Sequence, residues 1–479
     1  MPALADVPTP ALYHLLQPIT VPPTAPRARF TNWGRTYACT PLAIFEPHTE
    51  TQCALILELA RREHRTVRFA GIGHSPSDLA CTKEFMLRTI NLNHLLEVNA
   101  EKNYVVVQPG ITLESLHEQL AKHNLAMTNL GSISEQTLAG CITTATHGTG
   151  ISFGVMSTQV LALTLLLADG SKVVCSELER PDLFKASLCS LGCTGLLLSV
   201  KLQVEPAFRL KEEQETLRFD DAMDNFDRLV TSAEHVRFWW FPQNDKIRYS
   251  AANRSTENED PAGSWVWHRF FGHHLVQLLL FIGRYLLFIN TWTACFAEWL
   301  ISGRTMGVDK GHRIFNVDCR YPQYTTEWAV PYQNTVSALR DLRSWLDEEL
   351  VDPEGLRPHF PVEIRFSSAD DIWLSPSYGQ RTCWIGIVQY KPYGFIVPYR
   401  RLFKRFEMIM TRHGGKPHWA KAHCLRPKDL RRLYPRFADF TKVLEEVDPV
   451  GLFQNEYIRR HVFGEHGPEV DSRVFKPSR

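Results

Sequence analysis

Neither sign of charge dominates this chain of 479 residues: 53 Lys and Arg face 52 Asp and Glu, a formal net charge of +1. Without a basic field no nucleic-acid partner is expected, and without an acidic one no polycationic partner. The eleven cysteines form no C-x-x-C pair and no metal-like spacing with histidine, and Cys141, Cys175 and Cys383 stand in apolar runs. They read as buried thiols of an intracellular protein, with neither a disulfide framework nor a metal site. Residues 1–29 are proline-rich and hold no basic residue before Arg27 except His14, so an irregular arm is expected there, not a secretory signal or transit peptide. No apolar run reaches the roughly twenty residues a spanning helix needs. What the chain does have is 44% hydrophobic and 11% aromatic residues, enough at this length for two or three domains.

The most informative stretch lies between Gly71 and Gly148. Residues 65–70 (RTVRFA) alternate as a strand does, and Gly71, Gly73, Ser75 and Pro76 then stop the pattern. Glycines here let backbone N–H groups approach an anion without a lysine. The G-x-G-x-x-G fingerprint is absent, because no helical pattern follows. His74 stands between the glycines and Ser75-Pro76, on a loop and not on an apolar helix face. A second loop, 129–136 (NLGSISEQ), and 146–149 (THGT) add glycines and hydroxyls suited to ribityl and pyrophosphate oxygens.

Together AGIGHSPSD (70–78), NLGSISEQ and THGT resemble the flavin loops of the aldonolactone oxidases, within the vanillyl-alcohol oxidase type of FAD enzymes. The resemblance implies FAD, attached covalently through His74, whose neutral imidazole is the nucleophile such a bond needs. It also implies contacts to the cofactor from Gly71, Ile72, Gly73, Ser75, Pro76, Gly131, Ser132, Ser134, Thr137, Gly140, Thr143, Thr146, His147 and Gly148. Gly195 and Leu197, in SLGCTGLLLSVKLQV (190–204), resemble the third flavin contact. The family's dehydrogenases carry alanine where this chain has Gly131, so Gly131 is expected to leave O2 a path to the flavin.

The likeness extends along the chain from Phe30. FTNW (30–33) resembles the entry segment, HWAK (418–421) the return to the flavin through His418 and Lys421, and DPVGLF (448–453) the closing segment. The expected fold is α+β: an FAD-binding domain of two subdomains over 30–209, an α/β cap over 210–405, and a C-terminal segment 406–479 completing the site. Local expectations come from the residues themselves. Thr49 and Gln52 form a capping box before a helix bearing Cys53, Ile56, Leu57 and Ala60, and Thr112 caps another bearing Leu113, Leu116 and Leu120. Strands are expected at 86–92, 104–108, 160–167 and 172–175, the last two a hairpin about Asp169-Gly170. HVRFWWFP (235–242) reads as the aromatic core of a cap sheet, and 253–262 as a polar surface excursion.

In FPVEIRF (360–366), alternation sets Glu363 and Arg365 on one strand face and Val362, Ile364 and Phe366 on the other. The pair resembles the family's substrate-binding pair, while EWAVP (327–331) is expected to be architectural. For an aldono-1,4-lactone, D-arabinono-1,4-lactone first, the resemblance implies loss of the 2-hydroxyl proton as the C2 hydrogen passes as hydride to the flavin. O2 is reduced to peroxide. Glu363 is expected to bind substrate hydroxyls, and Arg365 and Lys421 to stabilise developing negative charge. The alternatives are a galactono- or gulonolactone dehydrogenase with a cytochrome acceptor, an alditol oxidase, or a non-catalytic membrane-bound scaffold. Finally, 265–301 is apolar apart from a few groups such as Arg284, and carries Trp265, Trp267, Trp292 and Trp299 with His268, Arg269, His273 and His274. It is expected to lie in a membrane surface, mitochondrial first.

Overall fold

The computed structural model describes residues 6–260, 273–317, 321–352 and 355–477. Three short parallel strands, Ala43–Phe45, Phe85–Arg88 and Val67–Ala70, form the first sheet in that order. The crossover helix Glu50–Arg62 starts at the Thr49–Gln52 capping box and buries Cys53, Ile56, Leu57 and Ala60. Against it packs a helix, Thr9–Leu16, with Leu12 and Leu16 buried. The irregular arm expected for 1–29 is therefore corrected: Pro10 is tolerated in the first helical turn, and two leucines four apart share the inward face. The strand expected at 86–92 also ends early. Beyond Arg88 the chain turns through Thr89–Asn91, because Gly110 packs directly against the Thr89 carbonyl and its N–H donates to the Leu92 carbonyl.

A second, antiparallel sheet orders Lys172–Ser176, Val160–Leu166, Leu196–Gln203, Tyr104–Val107 and Leu95–Asn99. Its hairpin turns through Gly170 at φ +86°, a left-handed conformation that glycine adopts without strain. Both sheets share one apolar core with the C-terminal Leu430, Tyr434, Phe437, Phe440 and Leu444. The end of the chain is thus packed into the part that carries the glycine loops.

The third sheet has eight antiparallel strands, ordered Thr305–Lys310, Arg209–Arg218, Lys246–Ser255, His235–Phe241, Val362–Ser367, Thr382–Tyr390, Gln323–Pro331 and Lys416–Pro417. One face is covered by helices Thr335–Val351 and Arg400–Arg412, whose Leu339, Leu342, Phe406 and Met410 pack with Val362, Ile364, Phe366 and Ile385. The opposite face turns toward the glycine loops. The polar excursion expected from 253 starts only after Ser255. Asn253 and Arg254 remain in the ladder, paired with Lys211 and Leu210, since backbone pairing tolerates polar side chains that point to solvent. Its last two residues, 261 and 262, lie outside the described residues.

Within 265–301, Trp265, Trp267, His268 and Arg269 lie outside the described residues. The described part, from His273 on, includes helices Val276–Ile282 and Phe288–Ile301, which contact each other. Val276, Leu280 and Ala294 pack against Phe241 and Phe360, leaving Tyr285, Leu286, Leu287, Phe288, Trp292 and Trp299 exposed. Among the described residues no helix is long and apolar enough to cross a membrane.

Candidate functional site

A groove of about 870 Å³, counting space open to solvent, runs between the first two sheets. Gly71, Ile72, Gly73, His74 and Ser75 line it with Thr137, Gly140, Thr143, Thr146, Gly195 and Leu197. Glycine is required at its floor: a Cβ on Gly71 would lie 2.3 Å from Thr137 Oγ1, and Gly73 has φ +88°. Among the described residues no acidic side chain lines the groove, and Arg68 does, donating to the Leu191 and Gly192 carbonyls. A lining of glycines, threonine hydroxyls and one guanidinium, with no carboxylate to repel phosphate, fits a dinucleotide such as FAD.

His74 lies on the wall shared with a second cavity of about 760 Å³. Its ring stacks on Trp33 at 5.6 Å, and its Nε2 is 3.3 Å from the Glu135 carboxylate. The second cavity is lined by Pro76, Gly131, Ser132 and His147 from the loops, Glu363 and Arg365 from the cap sheet, and His418 and Lys421 from the return segment. Cross-strand register explains the cap side. Glu363 and Glu327 are both paired with Gly386 on the strand between them, so the two carboxylates flank a position without a side chain. Alternation carries Thr325, Val388 and Gln323 onto the same wall. Arg365 reaches across the gap: its Nη2 donates to Glu327 Oε1 at 2.9 Å and its Nη1 to Ser132 Oγ at 3.0 Å, while its Nε is 3.5 Å from Glu363 Oε1.

Glu327 is the centre of this cluster, although EWAVP was expected to be architectural; that expectation is corrected. The side chain is buried, with Arg365, His147 Nε2 at 3.2 Å and Lys421 Nζ at 3.6 Å around it. Burial alone would push its carboxyl up; Arg365, His147 and Lys421 outweigh burial and hold it well below the usual carboxylate range. Burial, followed by the charge of Arg365, keeps the His147 imidazole neutral, and burial does the same for His418. A neutral His147 donates one hydrogen bond, and the carboxylate is a stronger acceptor for Nε2–H than the Gly148 carbonyl, 3.0 Å away, is for Nδ1–H. Trp384 fixes the ring by stacking on it at 3.8 Å. Ligand-type atoms of His147, Glu327 and His418 also lie within 4.8 Å of one another. Arg365 and Lys421 already bring to that carboxylate the positive charge a cation would bring.

Two of the residues expected to contact the cofactor line neither cavity. The Ser134 carbonyl accepts the Glu114 N–H at the start of a helix, and Gly148 packs against Asn129, whose Oδ1 a Cβ there would meet at 2.1 Å. The sequence reading missed Glu327, Arg68, Glu135 and Gln136. The one signal available for Glu327 was an acid in an otherwise apolar strand segment.

The model of the D-arabinono-1,4-lactone oxidase family matches residues 200–461, more than half the chain, and that of the FAD binding domain matches residues 41–176. An L-gulonolactone oxidase from Scyliorhinus torazame is 39% identical, over 91% of this chain and 98% of its own. A putative D-arabinono-1,4-lactone oxidase from Neurospora crassa is 32% identical, over 90% and 85%, and an L-gulono-1,4-lactone dehydrogenase from Mycobacterium tuberculosis 31%, over 90% and 98%. Among solved structures, a cholesterol oxidase from Brevibacterium sterolicum superposes with TM-score 0.76 at 15% identity, over 93% of this chain and all of the other. That likeness speaks for the fold, the vanillyl-alcohol oxidase type. With the glycine-lined groove, the adjoining charged cavity and these matches together, the chain belongs to the D-arabinono-1,4-lactone oxidase family of FAD-dependent oxidoreductases.

Proposed function

We propose that the protein oxidises an aldono-1,4-lactone at C2 and passes the electrons to O2. The observation that carries this reading is the pair of cations, Arg365 and Lys421, held on one wall of a cavity that shares His74 and Thr146 with the cofactor groove. Bound FAD supplies the two-electron acceptor for the C2 hydride. Arg365 and Lys421 stabilise the negative charge left as the 2-hydroxyl loses its proton, and Glu363 on the same wall orients the neighbouring hydroxyls. Gly131, with no side chain on that wall, supports access of O2. The stack of His74 on Trp33 and its contact with Glu135 support the covalent link. The relatives at 38–39% identity are named for gulonolactone and those at 29–32% mostly for arabinono-lactone. L-gulono-1,4-lactone is therefore set beside D-arabinono-1,4-lactone as substrate.

The exposed apolar face of Val276–Ile282 and Phe288–Ile301 supports a resting place on a membrane surface, with the mitochondrial membrane as the compartment to test by fractionation. The test of the reaction is the visible spectrum of the purified protein mixed with each lactone without air, and then with air. Bleaching that recovers promptly with peroxide release is the expected result. Bleaching without recovery would make the protein a dehydrogenase, and bleaching by alditols alone would move it to the sugar-alcohol oxidases.

A further inference from the structure

Three segments far apart in the chain send a polar side chain to one buried carboxylate. His147 comes from the second glycine loop, Arg365 from the cap sheet and Lys421 from the C-terminal return, and all three meet at Glu327. Two of these partners are cations that line the same cavity, so each repels the other, and water screens them only in part where Arg365 is buried and Lys421 half-buried. A cation in that position needs a fixed counter-charge or it turns toward the next one. For Arg365 the next one is Glu363, already 3.5 Å from its Nε. Turning there would shift the guanidinium along the cavity wall and would occupy the carboxylate assigned to substrate hydroxyls. Gly386 is what keeps the alternative geometry open: with no side chain between Glu363 and Glu327, the Glu327 carboxylate, with the Ser132 hydroxyl that accepts from Nη1, decides which of them Arg365 faces.

We infer that Glu327 is a positioning residue for the oxidation: its carboxylate sets the direction of Arg365 and Lys421 so that both face the substrate's reacting carbon. The inference rests on reading this cavity as the lactone site. It separates the two glutamates of the cavity by task, Glu327 holding the cations and Glu363 holding the substrate. It also gives the EWAVP strand a chemical role beyond that of sheet core.

The test follows flavin reduction by rapid mixing without air, with D-arabinono- and L-gulono-1,4-lactone, in the purified flavin-loaded parent and in Glu327→Gln, Glu327→Asp, Arg365→Ala and the Glu327→Gln/Arg365→Ala double variant. Glu327→Gln should lower the reduction rate constant at least ~30-fold while changing the substrate Kd less than ~5-fold, the signature of an interaction made in the transition state. Because Glu327 acts through Arg365 and Lys421, the loss in the double variant should fall at least ~10-fold short of the product of the two single losses, whereas independent roles would multiply. Glu327→Asp, which keeps the charge one methylene short, should fall between parent and Gln, and it stands in if the Gln variant fails to fold or to load flavin. A Gln variant within ~3-fold of the parent, an Asp variant no faster than Gln, or single losses that multiply in the double variant, overturns the inference and leaves the lactone reading intact. A parent that no lactone or alditol bleaches overturns that reading, and the inference with it.

Discussion

A single hydrogen at Gly131 decides how much room the second cavity has beside the flavin groove. A methyl there would stand 2.8 Å from Thr146 Cγ2, and Thr146 lines both cavities. Gly131→Ala is therefore expected to slow the reaction of the reduced enzyme with O2 at least ~10-fold, more than ~1.4 kcal/mol of barrier, while lactone-driven reduction stays within ~3-fold. Pairing it with Thr146→Ser, which removes the crowded methyl, separates two causes. If air reactivity stays slow in the double variant, the new methyl itself blocks O2; if it recovers, a displaced Thr146 was responsible. Glu327 teaches the complementary lesson. Its one local mark, an acid among the apolar residues of EWAVP, does not name its partners, which are 38 residues away at Arg365 and 180 away at His147.

At the level of elements, the helices Val276–Ile282 and Phe288–Ile301 show a face for which the cap has no partner. Their inner residues reach Phe241 and Phe360, whereas Tyr285 is 71% exposed and Trp292 69%. Arg284 does not break this surface, for its guanidinium lies over the Phe395 ring at 4.7 Å and stacks at its edge. Each tryptophan that enters a lipid interface stabilises binding by roughly 1.5–3 kcal/mol. Trp292→Ser with Trp299→Ser should therefore lower the share of protein that floats with phospholipid vesicles at least ~10-fold, with the flavin spectrum unchanged. Equal flotation of parent and variant would place the attachment elsewhere, and a parent that never floats would end the membrane proposal. The capped helix starts and the hairpin turn of the cofactor part were legible because caps and turns are local. Thr49, Thr112 and Gly170 each act within four residues. The extension of Lys246–Ser255 through Asn253 was not, since a ladder partner decides it.

Across the whole molecule, burial of uncharged histidine sets the response to acid. Burial lowers His117, His359 and His423 to about 3 and His235 to about 4. Each folded value lies below the unfolded value near 6.5, so the stability these groups contribute is complete above pH 6.5 and declines as pH falls. The decline is roughly 1.4 kcal/mol per group for each pH unit below that value. Asp370, raised by burial to about 6, and Glu407, raised to about 7, act in the opposite direction, since acid relieves the cost of ionising them. Four histidines outweigh two carboxyls, and the melting temperature should fall between pH 7.5 and 5.5. Below roughly pH 4.5 the depressed carboxyl of Glu327 adds to the loss, since the unfolded chain then takes up protons that the folded one refuses. A melting temperature unchanged between pH 7.5 and 5.5 would show these imidazoles to be charged or solvated in the folded protein.

The sequence by itself determined the cofactor loops, the caps and the face on which Glu363 and Arg365 sit. Those features need only short-range geometry: a glycine where a Cβ would strike Thr137, a hydroxyl three residues before the amide it accepts, a side-chain period of two along a strand. Only the tertiary structure decided that Glu327, paired across Gly386 from Glu363, meets Arg365, Lys421 and His147. Sheet register is fixed by backbone pairing between strands distant in the chain, and the energy of a buried charge depends on which opposite charges that register brings beside it.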